Sequence, residues 1–180
     1  MALRINMARP SETQTQLLLR SKARVINRMK EFDAWVSLPF LSLLSVELGV
    51  LRKSAIRRHG ATRWKYGTNF SKGIFSNPDV VDIHPELLND QWRDYLDFVM
   101  YHEFIHCMGF KNHDSDFRSL ESLWGFDFGR AKQFSEHLSF VRAKYVWKCP
   151  NCENKYPRSR RSNGRYLCRD CKTILIDEEN

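Results

Sequence analysis

The chain has 180 residues and a mass of 21.4 kDa, with 42% hydrophobic and 13% aromatic residues, enough for a real core and against global disorder. The longest apolar stretch, near Val36–Val50, is broken by Ser37, Pro39, Ser42, Ser45 and Glu47, and the polar start lacks a secretory leader's apolar run. A membrane or secreted protein is therefore not expected, and cytoplasm, nucleoid or nucleus is the expected location. The net charge of +8 is uneven: residues 1–60 carry +7, residues 61–148 carry −1 and residues 149–180 carry +2. Basic ends around a near-neutral middle suit contact with a polyanion.

In chain order, residues 1–12 read as a flexible arm. Leu17, Leu18, Val25, Ile26 and Met29 then recur on one helical face within Thr13–Phe32, with Arg20, Lys22, Arg24, Arg28 and Lys30 making much of the rest basic. Trp35–Val50 is apolar and broken at Pro39. Ala61–Phe75 is strand-like with turns at Gly67 and Gly73, and Val80–Ile83 is a short β-branched strand stopped by Pro85. Glu86–Leu88 reads as a helical turn. Asp90 can cap a helix over Gln91–Met108 that Gly109 ends, and Asp114 or Ser115 can cap another ending before Gly125. A last helix is expected over Arg130–Arg142.

The central helix contains His102-Glu103-Phe104-Ile105-His106. Residues four apart lie one turn plus about 40° around a helix, so both imidazoles can reach one ion. Glu103 lies on the adjoining flank, placed to act on water as a general base without being a ligand. Catalytic zinc needs a third protein ligand. His113 is favoured, since Gly109 can turn the chain back toward the helix; His84 before Pro85 and nearby carboxylates are the alternatives. Asp116 and Glu121 are candidate partners for orienting an imidazole. The longer H-E-x-x-H-x-x-G-x-x-H pattern fails, because position 112 is Asn and no methionine follows Met108.

Cys149-x-x-Cys152 and Cys168-x-x-Cys171 are separated by 15 residues, Glu153 to Leu167. Two such knuckles make a closed four-cysteine zinc site, a structural ion whose binding free energy folds a ribbon too small for its own core. Cys107 reads as a buried small hydrophobe. Between the pairs, Tyr156 and Tyr166 flank a hairpin turn at Ser162-Asn163-Gly164. Lys155, Arg158, Arg160, Arg161 and Arg165 interleave with these rings, a mix suited to phosphates and bases.

Together, His102-Glu103-x-x-His106, Asn112-His113-x-x-x-Phe117, Asp82-Ile83-His84-Pro85-Glu86-Leu87-Leu88 and the Tyr145-x-x-Lys148-Cys149-x-x-Cys152 ribbon resemble the SprT family of zinc metallopeptidases, which includes Spartan-type DNA–protein crosslink proteases. The resemblance spans roughly residues 20–176. It implies an α+β zincin-like core over 13–144, a small four-cysteine zinc ribbon over 145–176 and an acidic tail at 177–180. It also implies His102, His106 and His113 as ligands, Glu103 as base, and two zinc ions per chain, one catalytic and one structural. The expected activity is hydrolysis of peptide bonds in DNA-associated or DNA-crosslinked proteins, with single-stranded or damaged DNA as partner, no membrane, and a monomeric state. The other reading is a non-catalytic zinc protein that binds nucleic acid.

Overall fold

A computed structural model describes residues 9–127 and 129–180. It is an α+β structure whose chain packs into two units, the second beginning at Gly129.

The first unit starts with α1 (Glu12–Met29), opened by a capping box. The Ser11 side chain accepts from Gln14 N, while Gln14 Oε1 accepts from Ser11 N, so two of the end's unpaired amides are satisfied. Ser11 thus belongs to the helix start; the first eight residues of the expected arm lie outside the described residues. Leu18, Val25, Ile26 and Met29 are buried on one face. The short helix α2 (Asp33–Val36) and a 3-10 turn (Phe40–Ser45) follow, with the break at Pro39. Lys22 is buried beneath this turn and donates to the carbonyls of Leu44 and Val46 at 2.7 Å each, so this one cation of α1 serves the fold and not the surface.

A three-stranded sheet has the order β1 (Leu48–Val50), β3 (Val80–Ile83), β2 (Gly60–Arg63). β3 is central, parallel to β1 and antiparallel to β2, and all four of its residues are buried. Asp82 is made tolerable there by Arg63, and a side-chain carbon at Gly49, its register partner, would come within 2.3 Å of Asp82 Oδ1. β1 was not expected, and the strand expected over Ala61–Phe75 ends at Arg63. Residues 64–79 instead form a loop that docks on the next helix.

That helix, α3 (Arg93–Cys107), follows two 3-10 turns (Pro85–Leu88, Asp90–Trp92) and is buried nearly all round. Tyr101 is wholly buried against Trp35, and its hydroxyl donates to the carbonyl of Leu120 in α4 (Ser115–Ser122). α1 is tied to α3 by Asp97, which accepts from Ser21 (2.6 Å) and, in a fork, from Arg24 (2.7 and 2.6 Å).

The second unit comprises α5 (Gly129–Arg142) and a sheet of order β5 (Lys155–Arg158), β4 (Tyr145–Lys148), β6 (Ile176–Glu179), all antiparallel. By packing, α5 groups with this sheet and not with the helices before it: Asn180 Nδ2 donates to the carbonyls of Phe140 and Ala143 at the helix end. Two further expectations are corrected. β5 pairs with β4 across the first cysteine knuckle, which itself makes the turn through Glu153 at φ 57°; the Ser162-Asn163-Gly164 turn belongs to a later loop. Residues 177–179 are not an acidic tail but β6, held because Asp177 accepts from Ser162 N and Asn163 N while Glu178 and Glu179 pair with Lys148 and Arg161. Among the described residues no helix is long and apolar enough to cross a membrane.

Candidate metal centres

α3 places His102 and His106 on one face, and His113 comes to them from the turn before α4. One ligand atom from each lies within 4.8 Å of the others, and His113 Nε2 is 3.1 Å from His102 Nε2. Gly109, at φ 81°, makes the turn. Asp114 then caps α4 by accepting from Phe117 N at 3.2 Å. Phe117, fully buried, packs its ring 4.9, 4.7 and 4.6 Å from those of His102, His106 and His113, an apolar floor under all three.

Hydrogen bonds fix the tautomers. His102 Nδ1 is 2.6 Å from Glu121 Oε1, and His106 Nδ1 is 2.8 Å from the carbonyl of Phe110. Both partners only accept, so each Nδ1 carries a proton, and in the neutral ring Nε2 is left with a lone pair to offer a metal. Convergent imidazole lone pairs repel one another unless a cation lies between them, which is the donor set zinc takes. Burial pulls the His106 pKa down to about 4, and burial with the nearby His102 and Arg118 lowers that of His113, so these rings are neutral and ready to ligate at pH 7. Of the two acids considered as orienting partners, Glu121 takes the role. Burial pushes its carboxyl up, but the bonds from His102 and Arg118 outweigh this and leave it below the usual value. Asp116 instead pairs with Lys72. His84 is buried at the end of β3, its Nδ1 accepting from Glu86 N at 3.2 Å to cap a 3-10 turn, apart from the three-histidine group.

Glu103 is buried beside His102. Its Oε2 accepts from Thr62 Oγ1 at 2.7 Å, and the same hydroxyl is 3.1 Å from the Glu103 carbonyl. Burial raises its pKa, while His102 and Thr62 pull the other way. The close approach of β2 depends on Gly60, where a side-chain carbon would lie 2.7 Å from Glu103 Oε1.

The loop over 64–79 braces the centre from outside. Gly73 N donates to the Met108 carbonyl (3.0 Å) and Ser76 N to that of Cys107 (2.8 Å), while Lys72 pairs with Asp114 (2.8 Å) and Asp116 next to His113. Each backbone bond contributes about 1 kcal/mol and an exposed ion pair about 0.2–1 kcal/mol. The backbone ties therefore set the loop's position, with Lys72 adding a smaller link.

In the second unit, Cys149, Cys152, Cys168 and Cys171 gather their sulfurs within 4.8 Å, with Cys149–Cys171 at 3.2 Å and Cys152–Cys168 at 3.5 Å. All four are free thiols, too far apart for disulfides and close to the spacing of about 3.8 Å that tetrahedral Zn–S bonds of ~2.3 Å give. Trp147, Cys149, Cys168 and Leu175 form the small core around them. Beside it a groove of about 320 Å³ is lined by Trp147, Tyr156, Tyr166, Arg158, Arg160 and Arg169. Trp147 and Tyr166 stack at 4.4 Å, Arg158 lies 5.1 Å above the Trp147 ring, and Arg160 reaches the Tyr166 hydroxyl. Of the other basic residues singled out, Arg161 is engaged by Glu179 and Tyr145, and Lys155 and Arg165 are exposed. Sequence reasoning missed Trp147 and Arg169, whose positions two before Cys149 and one after Cys168 put them on the knuckles.

The fold and these two clusters define an α+β protein with a four-cysteine zinc ribbon and a separate histidine centre. Residues 143–176 match the family description "SprT-like zinc ribbon domain". "Protein SprT-like" of Lactococcus lactis subsp. lactis is 27% identical over 121 residues, 63% of this chain and 78% of that protein. "Protein SprT-like" of Lactiplantibacillus plantarum is 29% identical over 100 residues, 51% of this chain and 66% of that protein. No solved structure matches the chain. Residues 143–176 are thus an SprT-like zinc ribbon, and the chain is similar to these SprT-like proteins.

Proposed function

We propose that the first unit is a zincin-like zinc endopeptidase, and that the chain carries two zinc ions, one catalytic at His102, His106 and His113 and one structural at the four cysteines. The observation that carries the catalytic reading is the pairing of three converging imidazoles with a buried carboxylate, Glu103, that ligates nothing. A purely structural site has no use for such a carboxylate beside its first ligand. A zinc ion held by His102, His106 and His113 would supply Lewis acidity toward the scissile carbonyl and would make water acidic enough to attack near neutral pH. Glu103 takes the proton of the attacking water and delivers it to the departing amine nitrogen as the C–N bond breaks. Burial raises its proton affinity toward that task, and Thr62 holds Oε2 so that Oε1 remains to act. Glu121 and the Phe110 carbonyl keep the rings aimed.

Proteins bound or crosslinked to DNA are the proposed substrates. The support is the ribbon groove, where aromatic faces and arginines of the kind that stack bases and meet phosphates lie together. The same groove is what favours the second reading, a nucleic-acid-binding protein without activity. Glu103→Gln decides between them. It is expected to retain zinc at both sites and lose hydrolysis of a DNA-bound protein substrate. Unchanged cleavage by this variant would sink the mechanism, and no cleavage by the wild type under any DNA condition would leave the binding reading.

A further inference from the structure

Away from the histidines, a cleft of about 110 Å³ lies between α1 and the start of α3, lined by Leu17, Leu88, Leu96, Arg20, Arg24 and Arg93. That space has room for a small tetrahedral oxyanion group. The three arginines differ in their commitments. Arg24 is fixed by its fork onto Asp97, which uses two of its five N–H donors and leaves three. Arg20 and Arg93 have no acidic partner among the described residues, though Asp90 lines the same cleft. With Arg24 neutralised by Asp97, the balance of Arg20 and Arg93 against Asp90 is one positive charge.

We propose that this cleft is a phosphodiester subsite: it takes one backbone phosphate of a nucleic acid on the unit that carries the histidine centre. Several guanidinium donors around apolar side chains fit an oxyanion better than a metal or a peptide carbonyl. The single excess charge matches a phosphodiester monoanion and leaves a free phosphate dianion only half compensated. A phosphate contact of this kind positions the polymer and reads no sequence. The proposal rests on nucleic acid being a partner of this chain, but not on the ribbon groove.

The test uses the full chain and a mixed-sequence single-stranded oligonucleotide, with affinity followed against salt. An Arg20→Gln/Arg93→Gln double variant should bind severalfold more weakly, and its log–log salt slope should shrink by about 0.7, one single-strand phosphate. Arg20→Lys/Arg93→Lys should keep the slope, and zinc content and melting temperature should match the wild type in both. Affinity and slope unchanged in the glutamine variant would overturn the proposal; loss of binding in a parallel Trp147→Ala variant would then show that the nucleic-acid reading itself stands. A wild type that binds no oligonucleotide would overturn both. Inorganic phosphate binding that the glutamine variant loses, with oligonucleotide affinity unchanged, would assign the cleft to free phosphate and overturn it as well.

Discussion

At the scale of single residues, the histidine centre is governed by what lies behind each ring. Glu121 is nearly inaccessible and bonds both His102 and Arg118, so its removal frees the His102 ring and leaves the exposed Arg118 to solvent. Outer partners of this kind are worth about 10–100-fold in metal affinity. Glu121→Ala is expected to lower zinc affinity at the histidines by that order, measured by chelator competition, while the ribbon keeps its ion. Acid acts on the same rings. Because the folded state holds the His106 pKa at about 4, against roughly 6.5 in an unfolded chain, the unfolded state binds the extra proton first as pH falls. The metal-free protein should therefore lose stability between about pH 6.5 and 4 and lose no more from this residue below that, read as melting temperature against pH. His102 and His106 could be paired from their spacing alone, because helix geometry is local. That Glu121 and not Asp116 would turn to His102 was not legible, since both lie on α4 and only the packing of Phe117 decides which side faces the rings.

At the scale of elements, the short pieces escaped sequence reading. β1 has three residues and β6 carries mostly acids; each is a strand only because β3 or β4 offers it a ladder. No local signal exists for that, whereas the buried α3 announced itself by length and apolar content. β2 shows how a small element serves chemistry: Gly60 lets it lie against Glu103, and Thr62 then holds the carboxylate. Gly60→Ala places a methyl 2.7 Å from Glu103 Oε1 and 2.8 Å from Val99 Cγ1. Such crowding typically costs about 1–3 kcal/mol. The expected result is a lowered melting temperature together with a fall in the proposed peptidase activity larger than the loss of folded protein explains.

At the scale of the whole molecule, the two units differ in how much apolar core they have without a metal. The first buries Leu18, Met29, Trp35, Tyr101, Phe104 and Phe117 around α3 and has a core without zinc. The second has few apolar residues around its sulfurs, and with zinc removed its four thiols hold nothing together. Strong chelation should accordingly expose the amides of residues 145–179 to hydrogen exchange, while those of α1 and α3 remain protected. The four-cysteine cluster was the most legible part of the chain, because the spacing of the two pairs brings their sulfurs together whatever the strands between them do. The ribbon's acidic closing strand was not, because Asp177, Glu178 and Glu179 read as solvent-seeking until the Ser162 and Asn163 amides, Lys148 and Arg161 are in place.

The loop over 64–79 carries a consequence for how this chain can change length. At Gly109 a side-chain carbon would lie 2.0 Å from the Ser71 carbonyl oxygen, so the turn that brings His113 home is filled by backbone from far upstream. Near Gly67 nothing lies within 4 Å of such a carbon, and Tyr66 projects fully into solvent. Residues can be added or removed at that tip without touching the histidines. Between Ser71 and Ser76, the loss of one residue would shift the carbonyl that Gly109 accommodates. For this protein, spacing in a loop that contributes none of the three histidines is part of the specification of their centre.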